Sequence, residues 1–227
     1  MKITFLSRGN YTDFVLSELS KVRKTDVLVF SPGIIDKLDL MGELSGKSST
    51  FYDLCVLSKS MDCVVICACD TEVYGVLRKS AVLIDCGNLS GVSDMAHIID
   101  ESPYSPGGGY KIFDTSRGKI GLIVGEDLYF PEVAQMLSAC ESDVIIALFG
   151  RIYNHIPQLM MRAAAFANGI SICMAAEGYV QICDIKGEIL CATDAKMIEY
   201  DLEIIKDFHL LQARRRGFYK EINSITD

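Results

Sequence analysis

No apolar run in this chain is long enough to span a bilayer, which argues against a helical membrane protein. No block of basic residues stands out except Arg214-Arg215-Arg216. With a net charge of −8 and a pI near 4.9, broad binding to nucleic acid or to an anionic membrane is not expected. The short Arg run reads as a solvated or ion-paired surface segment. The opening MKITFLSRGN is interrupted by Arg8 and carries no small-residue cleavage site, so it does not read as a secretory leader. Internal repeats, low-complexity tracts and C-x-x-C pairs are also missing, which removes solenoids, linkers and the commonest zinc spacing.

Half of the 227 residues are hydrophobic, ample for a large core, and the length suits a single α/β domain over 1–227. Nine cysteines, an odd number, sit mostly inside apolar strand-like runs such as Val64-Val65-Ile66-Cys67-Ala68-Cys69. That is the usage of a reducing compartment, where free Cys acts as a small hydrophobe. The expectation is a soluble cytoplasmic protein with no cofactor and no metal.

Hydrophobic spacing predicts strands at Lys2–Leu6, Asp26–Phe30, Cys63–Ala68, Val76–Ile84 and Leu89–Val92, the last two joined by a turn at Asp85-Cys86-Gly87-Asn88. Further strands are expected at Tyr110–Asp114, Lys119–Val124, Asp143–Leu148, Ile170–Ala175, Tyr179–Asp184, Glu188–Thr193 and Met197–Leu202. Helices are predicted over Asn10–Lys24, Phe51–Lys59, Pro131–Cys140 and Ile156–Asn168, with Gly169 as the stop of the last, and a short one in the tail. Ser31–Ser49 and Ile99–Gly109 read as loops. Hairpins mixed with β-α units do not fit a doubly wound sheet. Two mixed sheets packed face to face with helices outside fit better.

The segment Gly118 to Ile146, GKIGLIVGEDLYFPEVAQMLSACESDVII, resembles the signature of the nitrilase, or carbon–nitrogen hydrolase, superfamily. Other pieces follow in the family's order: Asp26–Gly33, Ser80–Asp85 with Gly91–His97, Tyr110–Thr115, Arg162–Asn168 and Arg215–Tyr219. The resemblance implies a four-layer α-β-β-α sandwich that commonly dimerises through its second helix pair. The expected partners are a small-molecule ligand and further copies of the chain, as a homodimer or higher homo-oligomer. It also implies covalent acyl transfer: a Glu as general base, a Cys that attacks the C–N carbon and a Lys beside the oxyanion. A thiol needs such help to be nucleophilic at neutral pH, and the tetrahedral intermediate needs donors.

Carried over position by position, the nucleophile falls at Gly125, the Glu at or within one residue of Gly33, and the Lys at Met95. None can perform its role. Both glycines are expected to leave space, and the chain is expected to be clipped after Gly33 and after Gly178. The leading expectation is a non-catalytic relative that binds a small ligand or acts through its oligomer surface. The alternative is an amidase- or nitrilase-type hydrolase with displaced groups, such as Glu126 or His155 activating water.

Glu126, Asp127, Tyr129, Tyr153 and His155 are the pocket candidates. Glu126 and Asp127 could form an acid–base pair, but neighbours in an extended segment point opposite ways, which favours a structural role. Glu132 suits the first turn of a helix. Tyr153-Asn154-His155 is expected near the pocket mouth, though a lone His without a positioned partner makes no triad. His97, His155 and His209 are scattered, and the resemblance implies that a His at position 97 is not the catalyst. Cys63, Cys67 and Cys69 are expected on one side of a strand, as core more than as a metal or thiol site, with Cys140 and Cys173 also in the core. The Pro106–Lys111 run leads into a strand and lacks the Lys-Ser/Thr ending of a phosphate loop.

Overall fold

The computed structural model describes residues 1–35, 37–99 and 102–213. Arg214–Arg216 and the resemblance over Arg215–Tyr219 lie outside the described residues.

Two mixed sheets carry the fold. The first has seven strands: β1 (Lys2–Leu6), β2 (Val27–Phe30), β3 (Lys37–Asp39), β4 (Val64–Val73), β5 (Val76–Asp85), β6 (Asn88–Asp94) and β13 (Met197–Asp201). Their order is β13-β1-β2-β4-β5-β6, with β3 on the far half of β4. The second has six, in the order β12 (Ile189–Thr193), β11 (Tyr179–Cys183), β10 (Ile172–Ala176), β9 (Val144–Phe149), β8 (Gly118–Val124), β7 (Ile112–Thr115). In each sheet the central strands run parallel and the outer ones antiparallel. Burial follows this placement. Val27–Phe30 and Val144–Phe149 are buried at every residue, as strands covered on both faces must be. The edge strand β12 is open and none of its residues is buried.

Side-chain alternation sorts the core into three layers. Phe5, Val29, Ile66 and Leu83 meet Leu122, Ile146, Cys173 and Val180 between the sheets. Leu28, Phe30, Val65 and Ile84 face the other way, onto α3 (Thr50–Met61) and the helical stretch that begins with α1 (Tyr11–Asp13). On the second sheet, Ile123, Ile145 and Met174 pack on α4 (Pro131–Ala139) and α5 (Ile156–Asn168). The expected α-β-β-α sandwich is therefore the observed one. The turn at Cys86-Gly87 and the helix Ile156–Asn168 also stand where the residues place them. Gly169 closes α5 in the left-handed conformation, φ 59°, its N–H returning to Phe166 O.

Three expectations change. The predicted helix over Asn10–Lys24 is irregular: one turn of α-helix, a π segment at Phe14–Glu18 and a 3-10 turn at Leu19–Lys21. Only Phe14 of the last two segments is fully buried, so packing does not hold the stretch to one helical pitch. The predicted loop Ser31–Ser49 contains β3 and α2 (Leu40–Leu44), whose cap Asp39 accepts from Met41 N at 3.0 Å. Cys140 is exposed rather than core, because α4 ends one residue earlier. The short α6 (His209–Ala213) matches the expected tail helix.

No helix among the described residues is long and apolar enough to cross a membrane.

Candidate functional site

Parallel strands of both sheets end on the same side of the sandwich, and a cavity of about 780 Å³ opens there. Crevices beyond the carboxyl ends of parallel strands are the usual ligand sites of α/β proteins, because the loops there can diverge without disturbing the sheet. Gly33 follows β2, Gly125 follows β8, Arg151 follows β9 and Glu177 follows β10, and all four line this cavity.

Gly125 has φ +56° and opens a 3-10 turn that runs to Tyr129. The space beside it is not vacant. A Cβ placed on Gly125 would lie 2.6 Å from Met95 Sδ and 3.8 Å from Lys79 Cδ. Met95 is 1% exposed and belongs to the core between the sheets. Thus a thioether fills the expected void at position 125. At Gly33 the expectation of open space holds: φ is +84°, and a Cβ would meet only Glu177 Cγ, at 3.8 Å.

The turn also overturns the extended geometry expected for Glu126 and Asp127. The two carboxylates separate because the backbone coils, not because a strand alternates. Asp127 faces inward, 3% exposed at its side chain, and does not line the cavity. It accepts hydrogen bonds from Ala96 N (2.9 Å) and His97 N (2.9 Å), with His97 Nδ1 2.8 Å from Oδ1. His97 stacks on Phe130, ring centroids 3.7 Å apart. Asp127 therefore ties the segment after β6 to the turn after β8, and holds Met95 against Gly125 through its neighbours Ala96 and His97.

Glu126 lines the cavity and accepts from Lys79 Nζ at 3.5 Å. Lys79 is the residue that sequence reasoning missed. It lies across the ladder from Met95, whose N–H donates to Lys79 O at 2.9 Å. Its ammonium sits 5.2 Å above the Tyr104 ring, and Tyr104 OH donates to Asp70 Oδ2 at 2.7 Å. Burial first, and Asp70 second, push the Tyr104 phenol up to about 12. Tyr129 also lines the cavity, its phenol raised by burial and then by Glu126. Tyr153 and Asn154 line the rim, but His155 does not; it is exposed at the start of α5. Glu132 occupies the first turn of α4, as expected.

One cysteine, Cys69, borders the cavity. Its side chain belongs with Cys63 and Cys67 to the outer core, so all three share one face of β4 as the spacing predicts. Lys79 is presented on the opposite face: along β5, Ala81 and Leu83 point between the sheets while Val82 and Ile84 point outward. Hydrogen bonding with Cys67, then burial, hold the Cys69 thiol well above the ordinary range. Burial pushes Cys63 up to about 12 and raises Cys173 and Cys183 as well. Among the described residues, no group of three or more His, Cys, Asp or Glu side chains is arranged to hold a metal ion. A thiol-alkylating reagent on the native protein is expected to modify the exposed Cys86 and Cys140 first, and Cys63, Cys69 and Cys173 only on unfolding, read by peptide mass mapping. Labelling of Cys69 as fast as that of Cys86 would reveal a reactive thiol at the cavity.

Residues 16–218 match the family described as carbon-nitrogen hydrolase. A probable nitrilase from Schizosaccharomyces pombe is 26% identical over 143 residues, 60% of this chain. The match spans about half, 53%, of that relative's length. Among solved structures, a carbon-nitrogen hydrolase from Helicobacter pylori G27 superposes with a TM-score of 0.79 at 20% identity, covering 98% of this chain and 97% of that one. An amidase from Nesterenkonia sp. AN1, in a variant carrying the acetamide moiety of fluoroacetamide on its active-site cysteine, superposes with a TM-score of 0.75 at 16% identity, covering 97% and 96%. These two likenesses establish the fold.

Proposed function

The chain belongs to the carbon–nitrogen hydrolase family, and on that premise we propose that it binds a small ligand in the family's cleft without covalent catalysis. The observation that carries this reading is the contact at Gly125. The resemblance puts a nucleophilic cysteine there, and in the Nesterenkonia relative the active-site cysteine carries the acetamide moiety of fluoroacetamide. In this chain position 125 offers no side chain, and the Met95 thioether occupies the space. A thioether has no proton to give up and cannot replace the Lys that the resemblance puts at position 95. The cleft nonetheless stays open at about 780 Å³, within the usual range for small-molecule sites.

A second reading keeps the hydrolase, because an ammonium and a carboxylate, Lys79 and Glu126, still stand beside Gly125 and Cys69 borders the cavity. One assay separates the two. Incubation with a panel of small amides and nitriles, followed by ammonia release, is expected to give no signal above buffer, while crystals soaked with the same panel show occupancy beside Gly125. Ammonia release abolished by Glu126→Gln or Cys69→Ala would establish the hydrolase instead. An empty cleft across this panel and across the free amino acids tested below would remove the binding role.

A further inference from the structure

A second cavity, of about 610 Å³, adjoins the first beyond the ends of β1 and β10. The two share four lining residues: Pro32, Gly33, Arg151 and Glu177. The charged side chains at this waist are thus one guanidinium and one carboxylate. We infer that the waist holds the zwitterionic head of an α-amino acid, its carboxylate on Arg151 and its ammonium on Glu177. This rests on the ligand-binding reading of the same cleft.

Partnership of the charges carries the inference. Most charged groups of the two cavities are committed to protein partners: Lys79 to Glu126, Lys37 to Glu72, Asp70 to Tyr104, and Arg8 to the Gly178 carbonyl and Asp194. Arg151 and Glu177 are exposed, and among the described residues neither side chain makes a hydrogen bond or an ion pair. The two strands that lead into them are nevertheless neighbours. Phe149 and Ala176 pair in register at the ends of β9 and β10, and Glu177 N donates to Gly150 O at 3.4 Å. Two opposite charges that line the same waist without pairing with each other can each take one half of a zwitterion. A simple anion or amine would satisfy only one. The flanking wall is Gly33, with no side chain to obstruct the ligand's Cα. A guanidinium suits a carboxylate through two parallel N–H donors. The larger cavity, with Tyr129 and the Lys79–Glu126 pair, is left for the amino acid's side chain.

The test is calorimetric titration of the full chain with free L-α-amino acids bearing small, apolar, acidic and amide side chains. The best binder is then compared with its N-acetyl derivative and its carboxamide. Each blocked form is expected to bind about tenfold more weakly or worse, the loss of one charge-assisted contact. Arg151→Gln is expected to weaken the zwitterion by a similar factor while leaving the carboxamide unaffected, and Glu177→Gln to do the same for the N-acetyl form. Equal binding of free and blocked forms overturns the inference. So does binding of other amides, nitriles or carboxylates in the cleft with no amino acid among them, and in both cases the cleft remains a ligand site. No binding by any compound of either panel overturns the inference and the binding reading together.

Discussion

Replacement of Asp127 by alanine is expected to destabilise the protein by about 3–5 kcal/mol, measured as the shift of the guanidinium unfolding curve at neutral pH. The carboxylate is almost fully buried and accepts from two backbone N–H groups, with the His97 ring as a third partner. Alanine strands both N–H groups without an acceptor, and each such group costs roughly 1–3 kcal/mol. The His97–Phe130 stack loses the ring's anchor at the same time. Asp127→Asn keeps one acceptor oxygen and should fall between wild type and alanine. The change reaches the cleft as well: Ala96 and His97 directly follow Met95, so releasing them frees the thioether from Gly125. Ligand affinity should therefore fall in step with stability. A loss below about 1 kcal/mol would mean that Asp127 is not the tie between the two sheets' loops.

Gly169→Ala is expected to cost on the order of 3 kcal/mol or more, against about 1 kcal/mol for Gly46→Ala as a matched control. Both glycines have left-handed backbones, φ +59° and φ +71°, so both substitutions carry the penalty of a Cβ in that region. Only at Gly169 does the added Cβ also run into backbone, overlapping the Asp207 carbonyl oxygen, whereas at Gly46 no atom of the described residues lies within 4 Å. A backbone carbonyl cannot rotate away as a side chain can. Asp207 N donates to Gly169 O at 3.0 Å and Ile170 bridges Lys206, so relief requires lifting the segment after β13 off the end of α5. Equal losses at the two sites, read from thermal or denaturant unfolding, would refute the overlap.

Those two sites also mark how far the residues could be read in advance. Gly169 was legible as a helix stop, since a glycine just past an amphipathic run is a local signal. The carbonyl of Asp207 against it was not, because that contact spans 38 residues of chain and depends on where the segment after β13, an edge strand of the first sheet, returns. Asp127 was legible as a loop-shaping carboxylate next to Gly125. Its partners Ala96 and His97 were not, since they arrive from the other sheet. The strand β3 escaped notice for a similar reason: three residues with Leu38 as their buried member carry almost no periodicity, and the strand exists because β4 is long enough to pair a second parallel partner on its far half. The irregular helical stretch over residues 11–21 shows the reverse, an apolar spacing near that of a helix that packing does not enforce at one pitch.

By itself, then, the order of residues determined the layers, the main helices and the family. These follow from periodicity, turn residues and motif order, all of which act over a few residues at a time. Only the tertiary structure decided which groups meet. Lys79 faces the cleft because it lies on the side of β5 that Ala81 and Leu83 turn between the sheets. Position 125 is filled while position 33 stays open because one thioether crosses between the sheets. Arg151 and Glu177 line one waist because each follows one of two adjacent parallel strands. Each of these is a distance between segments remote in the chain, set by sheet pairing and by the packing of one sheet on the other, and no local pattern encodes it.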